Sequence, residues 1–137
     1  GKKKLIDFMI PITNFLAKLG LDLRRAVYKE VLDKLGGDLR LVVIGGAGID
    51  KRYVDSFSNF GIDFFMGYGL TETAPVISVC TTECNVHGSV GRPMAGIEAA
   101  IDTEDTSRNA VGEIITRSDC VMLGYYRNEE ATKEVLK

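Results

Sequence analysis

Residues 39–69, LRLVVIGGAGIDKRYVDSFSNFGIDFFMGYG, carry the pattern that best predicts the fold class. It opens on an almost unbroken apolar run rich in β-branched side chains, which predicts a strand covered on both faces, as in a parallel sheet. Asp50 is a typical N-cap for a helix that continues through Phe60, and a second short apolar strand follows at 62–66. Strand–helix–strand units are parallel with a right-handed crossover. The stretch therefore predicts an α/β fold.

Both predicted strands end in glycine-rich segments, at 45–48 and at 67–69. Because the carboxyl ends of parallel strands meet at one edge of a sheet, we expect these two segments to lie close together. Open α/β sheets bind their ligands in a crevice at that edge. The sequence thus predicts a ligand site between the two glycine segments.

The second half of the chain has a different pattern of short strands separated by polar turns, with candidates at 76–79, 97–102, 113–117 and 121–126. Asn128 is placed to cap a last helix. An earlier helix is predicted at 26–35. The expected fold class is α/β, a βαβ parallel-sheet portion followed by a small antiparallel β subdomain. We divide it at residues 1–79 and 80–137, with both parts inside one larger parent domain.

Composition excludes several function classes. The 137 residues are 45% hydrophobic and 26% charged, which is a soluble globular composition, and the net charge of −2 gives no support to nucleic-acid binding. Lys2–Lys4 resemble the start of a signal peptide, but Asp7 and Pro11 interrupt the apolar stretch that follows. The three lysines are expected to form a solvated terminus, with contact to an anionic membrane surface as the alternative.

Three cysteines without CxxC spacing do not indicate a disulfide framework, and a reducing cytoplasm is the simplest location. Cys80, Cys84 and His87 form a C-x3-C-x2-H pattern, with Cys120 as a fourth candidate. A structural zinc site would require all four to converge tetrahedrally. Free thiols are the simpler expectation, and the sequence leaves the zinc hypothesis open.

The segment GYGLTET, residues 67–73, holds the densest set of functional side chains. Tyr68 offers a flat face to a base, Thr71 a hydroxyl to a phosphate, and Glu72 a carboxylate to Mg²⁺. The alternative is a tight strand-to-helix turn in which Thr71 is the cap and Glu72 meets the helix dipole. The residue types alone leave both interpretations open.

The other candidates are weaker. Segment 45–48, GGAG, matches neither of the glycine-rich nucleotide fingerprints, so a small-residue turn is the simpler interpretation. His87 lies in a polar segment without a neighbouring Ser–Asp or Cys–Asp arrangement, which gives a catalytic triad little support. Tyr125 and Tyr126 are interpreted as strand packing.

Residues 67–75, GYGLTETAP, resemble the YGxTE motif of the adenylate-forming, AMP-binding superfamily. Three more blocks agree in the same order: LVVIGGA at 41–47, GSVGRP at 88–93 and GEIITRSDCVMLGYYRNEEAT at 112–132. The chain is most similar to the long-chain fatty-acid–CoA ligases. Members of the superfamily activate a carboxylate with Mg²⁺ and ATP to an acyl-adenylate, and the ligases then transfer the acyl group to coenzyme A.

The resemblance implies roles for individual residues. The implied nucleotide-binding residues are Gly46, Ala47, Gly67, Tyr68 and Thr71. Thr71 would donate to the α-phosphate and Glu72 would hold Mg²⁺, which makes these two the implied catalytic residues. The implied partners are the small molecules fatty acid, ATP and coenzyme A.

The family's phosphate loop and its catalytic lysine are not recognisable in this sequence. We therefore expect an internal fragment of a larger acyl-CoA synthetase-like N-terminal domain, inactive by itself and prone to self-association through uncovered apolar surface. A ligase for another carboxylic acid, or a non-catalytic nucleotide-binding or interaction module, are the alternatives. The expected location is cytoplasmic, with peripheral membrane contact left open.

Overall fold

The computed structural model describes residues 1–136, except for the side chain of Lys2. The chain divides into two compact units, unit 1 over Gly1–Phe65 and unit 2 from Met66 onward. The main sheet has four strands in the order β1 (Leu41–Ile44), β2 (Asp63–Gly69), β3 (Val76–Val79) and β4 (Arg92–Pro93). A separate two-stranded sheet consists of β5 (Glu98–Asp102) and β6 (Glu113–Arg117). The predicted division into residues 1–79 and 80–137 refers to two parts of a larger parent domain, and it stays a prediction.

Unit 1 contains the predicted strand–helix–strand motif. Its elements are α1 (Lys2–Lys18), α2 (Arg24–Val27), α3 (Lys29–Asp33), β1 (Leu41–Ile44), α4 (Lys51–Asn59) and the first part of β2 (Asp63–Gly69). The backbone N–H of Asp63 donates to the carbonyl of Arg40 at 2.8 Å, which brings the starts of β1 and β2 side by side. The two strands are therefore parallel, and the predicted βαβ unit is confirmed.

The crossover helix α4 begins where its cap predicts. The Asp50 carboxylate accepts the backbone N–H of Arg52 at 2.8 Å, and this bond satisfies one of the free donors of the first turn. On the inner side of the helix, the Phe57 ring lies 5.5 Å from the ring of Phe64 on β2. Local capping and an apolar face together fix the helix on the sheet.

The helix predicted at 26–35 is wrong as a single element, because the chain breaks into α2 and α3 at Tyr28. Tyr28 is buried: its hydroxyl shares a 3.0 Å hydrogen bond with Thr13 of α1, and its ring meets Phe60 edge-on at 5.2 Å. This packing outweighs the helical propensity of the segment. Helix α1 was not predicted at all, because Pro11 and the polar residues around it obscured its periodicity.

Strand β1 also differs from its prediction, since only one of its faces is covered. Leu41 and Val43 are exposed, whereas Val42 and Ile44 are half-buried. A continuous apolar run predicts that a strand is to be buried on both faces, but it does not indicate which part of the protein covers each face.

Arg25 ties α2 to the segments that lead into β1 and β2. Its guanidinium donates to the carbonyls of Leu39 at 2.8 Å, Gly37 at 2.9 Å and Gly61 at 3.4 Å. We expect Arg25→Met to lower the free energy of unfolding by about 2 kcal/mol, because hydrogen bonds from a charged donor are lost and their acceptors stay partly buried. Arg40→Met is the matched control, since Arg40 is exposed. Equal urea midpoints for the two variants would contradict this role.

Unit 2 contains the antiparallel part of the fold. Its elements are the rest of β2, a 3₁₀ turn (Thr71–Thr73), β3 (Val76–Val79), β4 (Arg92–Pro93), β5 (Glu98–Asp102), β6 (Glu113–Arg117) and α5 (Glu129–Val135). Strands β2 and β3 pair antiparallel, as do β3 and β4, and β5 and β6 form an antiparallel ladder. Asn128 caps α5 through its side chain, which accepts the N–H of Ala131 at 3.1 Å. The predicted fold class is confirmed.

Two predictions in unit 2 are wrong. Residues 67–69 are not a loop after the strand but the last part of β2, because each of them is paired with β3. Residues 121–126 form turns and bends instead of a strand. Within residues 1–136, no helix combines the length and the apolar character needed to cross a membrane.

Candidate functional site

The turn that follows β2 is held by one buried threonine. Thr73 is 3% exposed; its Oγ1 accepts the N–H of Leu70 at 3.2 Å and lies 2.9 Å from the Leu70 carbonyl, to which its hydroxyl donates. These bonds close the 3₁₀ turn from inside. Thr71 and Glu72 therefore stand on a turn whose backbone is already fixed.

Gly69 is explained by the close passage of two backbone segments. A Cβ at this position would lie 1.7 Å from the carbonyl oxygen of Pro75. No side chain fits in that space, so glycine is needed at the point where β2 gives way to the turn. Protein packing accounts for Gly69 without any ligand.

Thr71 has the side chain that the site hypothesis requires. The residue is exposed, and within residues 1–136 its hydroxyl makes no hydrogen bond to the protein. In the alternative interpretation of this segment Thr71 is the cap of the turn, but in the structure Thr73 makes the capping bonds. The Thr71 hydroxyl is thus available to a phosphate oxygen.

Glu72 is anchored by its backbone and by its side chain. Its carbonyl accepts the N–H of Met122 at 2.8 Å, and its Oε1 accepts the hydroxyl of Tyr125 at 2.7 Å. The Tyr125 hydroxyl bond lowers the pKa of the Glu72 carboxyl below its ordinary value. Glu72 therefore offers a negatively charged carboxylate at neutral pH.

The remaining predicted nucleotide residues occupy two places. Gly67 and Tyr68 lie in β2 opposite Val79 and Ser78 of β3. Gly46 and Ala47 lie in unit 1, in the exposed segment after β1. That the two glycine segments border one nucleotide crevice stays a prediction.

Comparisons with known proteins give the same family for most of the chain. The model of the AMP-binding enzyme family matches residues 5–126. The chain belongs to the AMP-binding enzyme family. It is 38% identical over 118 residues to the chloroplastic long-chain-fatty-acid–[acyl-carrier-protein] ligase AEE15 of Arabidopsis thaliana. Over 110 residues it is 34% identical to the long-chain-fatty-acid–CoA ligase FadD15 of Mycobacterium bovis.

A solved structure shows the same fold. The O-succinylbenzoate coenzyme A synthetase of Bacillus subtilis, determined in complex with ATP and magnesium ion, superposes with a TM-score of 0.65 at 23% identity, over 80% of this chain and 25% of that chain. The two curated ligases align with 82% and 80% of this chain but with only 16% and 17% of their own lengths. The chain therefore spans about a sixth of the length of the curated relatives that it matches.

The cysteine pattern forms no metal centre in the part of the chain that the structure describes. Cys80, Cys84 and Cys120 are free thiols, and no three His, Cys, Asp or Glu side chains gather around a common point within residues 1–136. Cys80 is buried and its thiol donates to the carbonyl of Ser89 at 3.3 Å. Packing and this hydrogen bond account for Cys80 without zinc.

Sequence reasoning missed Tyr125, which it interpreted as strand packing. The residue lies 53 positions from Glu72 in the chain, yet its hydroxyl contacts the Glu72 carboxylate. A single sequence carries no signal for such a pair, because neither spacing nor composition connects the two residues. The neighbouring Tyr126 is 87% exposed, so residue type alone does not distinguish the two tyrosines.

Proposed function

We propose that this chain is part of an ATP-dependent long-chain fatty acid–CoA ligase, referred to below as the full-length ligase. A carboxylate oxygen of the acid bonds to the α-phosphorus of ATP as the bond to pyrophosphate breaks. The thiol of coenzyme A then attacks the acyl carbon and AMP leaves. The observation that carries the proposal is the fixed 3₁₀ turn, which holds Thr71 and Glu72 at consecutive positions with the Thr71 side chain exposed and the Glu72 carboxylate bonded to Tyr125. The two similar curated ligases, both named for long-chain fatty acids, support the choice of acid.

Glu72 fits the requirements of a magnesium ligand. Mg²⁺ in nucleotide sites is usually held by one or two carboxylates together with substrate phosphates and water, so a single protein carboxylate is sufficient. Glu72 would hold the cation through its carboxylate, which also accepts the Tyr125 hydroxyl at Oε1. When bound, the ion supplies positive charge to the phosphates as negative charge develops on them.

The other residues of the site orient the nucleotide. The Thr71 hydroxyl donates to an oxygen of the α-phosphate, where the incoming carboxylate adds negative charge. The Tyr68 ring would lie against the adenine base, and Gly67 would let backbone approach it closely; the same role for Gly46 and Ala47 of unit 1 stays a prediction. Such positioning supplies most of the catalysis expected for transfers at phosphorus.

The acid and the acceptor are tested on the full-length ligase. Adenylate is trapped with hydroxylamine as the hydroxamate, with long-chain, medium-chain and aromatic acids compared, and the second step is assayed with coenzyme A and with acyl carrier protein. We expect the highest kcat/KM with a long-chain acid and thioester formation on coenzyme A. A preference for an aromatic acid, or transfer only to the carrier protein, would contradict this assignment.

We propose the cytoplasm as the location of the ligase. The free thiols of Cys80, Cys84 and Cys120 support a reducing compartment. Recovery of the protein from a secreted fraction, instead of the cytoplasmic or membrane-associated fractions, would contradict the proposal.

We propose further that the 137-residue chain associates with itself in solution through α1. Four apolar side chains of this helix and that of its C-cap residue are exposed at the alternating spacing of three and four that forms a helix-pairing seam: Leu5, Phe8, Ile12, Phe15 and Leu19. The exposed fractions of Phe8 and Phe15 are 69% and 62%, so both rings would gain burial in a dimer.

Charged substitutions in this seam test the self-association. Phe8→Lys with Phe15→Lys should weaken the association at least tenfold, because a buried Phe contributes about 1.5–3 kcal/mol and the new charges repel. The matched control is Val111→Lys with Leu123→Lys, two exposed apolar residues in unit 2. Sedimentation velocity across a concentration series measures the effect. A monomeric wild-type chain, or equal weakening by both pairs, would contradict the proposal.

A further inference from the structure

Glu72 is held at two atoms by one short segment of unit 2. The backbone N–H of Met122 donates to the Glu72 carbonyl at 2.8 Å, and the hydroxyl of Tyr125 donates to its carboxylate at 2.7 Å. The first bond fixes the position of the Cα, and the second fixes the rotation of the side chain. Together they define where the carboxylate lies before any nucleotide binds.

Tyr125 is itself anchored to the last helix. Its backbone N–H donates to Oγ1 of Thr132 at 2.9 Å, and the Thr132 hydroxyl donates to the carbonyl of Asn128 at 2.8 Å. Asn128 is the residue that caps α5. The chain of bonds runs from the start of α5 through Thr132 and Tyr125 to Glu72.

Two residues with left-handed backbone conformation lie close to Glu72 and Tyr125 in the chain. Within residues 1–136, Ala74 and Arg127 are the two non-glycine residues with positive φ, at 55° and 51°. Each lies two positions after one member of the Glu72–Tyr125 pair. Left-handed backbone at an L-residue persists only where its surroundings impose it. The turns that carry the two side chains are therefore strongly constrained.

We propose that Tyr125 is a positioning residue, which holds the Glu72 carboxylate in the orientation that binds the divalent cation of the nucleotide substrate. The inference rests on the proposed function, since it assigns a partner to the metal-binding residue of that site. A neutral hydroxyl donor orients a carboxylate while leaving its full charge to the cation, which an arginine or lysine donor would not do. Hydrogen-bond partners of metal ligands commonly affect metal affinity by about 10–100-fold.

Tyr126 provides a matched control for Tyr125. It is the next residue, it is 87% exposed, and the guanidinium of Arg127 lies 5.2 Å from its ring centroid. Its hydroxyl makes no bond to Glu72. Tyr126→Phe removes the same atom as Tyr125→Phe from a neighbouring site, so a difference between the variants reports the Glu72 contact.

The test measures cation binding directly on the full-length ligase. Mn²⁺ is titrated in the presence of an ATP analogue with a methylene bridge between the α- and β-phosphorus, and free Mn²⁺ is counted by electron paramagnetic resonance. Tyr125→Phe should raise the Mn²⁺ Kd about tenfold. In the assay of adenylate formation it should raise the Mg²⁺ requirement while the KM of the fatty acid stays unchanged. Tyr126→Phe should match the wild type in both.

Three further variants complete the test: Glu72→Gln, Glu72→Gln combined with Tyr125→Phe, and Thr132→Val. Glu72→Gln should weaken Mn²⁺ binding, and Tyr125→Phe added to it should have no additional effect. If Glu72→Gln leaves Mn²⁺ binding unchanged, the proposed metal role of Glu72 fails. If Glu72→Gln weakens binding but Tyr125→Phe does not, only the positioning role is overturned. Should Tyr125→Phe fail to fold, Thr132→Val, which removes the anchor of Tyr125, must weaken Mn²⁺ binding in the same direction or the inference is wrong.

Discussion

Glu72→Gln in the full-length ligase should lower the rate of acyl-adenylate formation by about 10²–10³-fold, the range typical for the loss of one preorganised charge-stabilising group. The substitution removes the negative charge and keeps the shape of the side chain. The amide oxygen of Gln can still accept the Tyr125 hydroxyl, so the turn is expected to stay folded. The loss should therefore appear in the chemical step. Single-turnover formation of adenylate at saturating ATP and fatty acid measures it.

The matched control for this variant is Glu83→Gln. Glu83 is exposed in the polar segment after β3, away from the 3₁₀ turn in sequence, and the change removes the same charge. We expect the wild-type rate from Glu83→Gln. The wild-type rate from Glu72→Gln as well would remove Glu72 from the metal role and leave its Tyr125 bond as a purely structural contact.

Gly69→Ala should destabilise unit 2 by more than about 4 kcal/mol, which puts it among the most damaging single substitutions. The added Cβ would lie 1.7 Å from the Pro75 carbonyl oxygen and 2.8 Å from the Cα of Val76. Both obstructing atoms belong to the backbone, so no rotamer change relieves the clash. Strand β2 would have to separate from β3, and the turn that carries Thr71 would lose its support.

Thermal unfolding by circular dichroism measures this effect in the 137-residue chain. Gly48→Ala is the control, since its added Cβ meets no atom within 4 Å. We expect a wild-type midpoint for Gly48→Ala and a loss of the cooperative transition of unit 2 for Gly69→Ala. Equal midpoints would show that β2 and β3 do not approach each other as described.

The parts of the fold that local chemistry determines were predictable. The apolar run at 39–44, the Asp50 cap and the second apolar run were sufficient for the βαβ unit, and the Asn128 cap was sufficient for α5. In each case the signal and its consequence lie within a few residues. The antiparallel pairing of β5 with β6 followed in the same way from short alternating runs around a polar turn.

The missed features depend on contacts between distant residues. The break at Tyr28 exists because its hydroxyl meets Thr13 and its ring meets Phe60, and neither contact can be derived from the helical pattern of 26–35. Residues 67–69 were interpreted as a loop because glycines usually mark turns, whereas here Gly69 allows two backbones to pass closely.

The candidate site was predictable only in part, because one of its contacts joins residues that are distant in the chain. Residue types alone are compatible with two roles for Thr71 and Glu72, a structural turn and a nucleotide site. The family resemblance favours the nucleotide site. The structure adds that Thr73 makes the capping bonds, which leaves Thr71 available. Tyr125 could not have been predicted, because only the folded chain brings it to Glu72.

The fate of the carboxylate oxygen of the fatty acid distinguishes adenylate formation from other routes to the thioester. The full-length ligase is incubated with Mg²⁺, ATP, coenzyme A and a long-chain fatty acid labelled with oxygen-18 in its carboxylate, and the AMP is analysed by mass spectrometry. Attack of the carboxylate on the α-phosphorus, followed by transfer of the acyl group to the thiol, leaves one labelled oxygen on AMP. We predict AMP that carries a single oxygen-18. Unlabelled AMP, or ADP as the product, would contradict an adenylate-forming reaction.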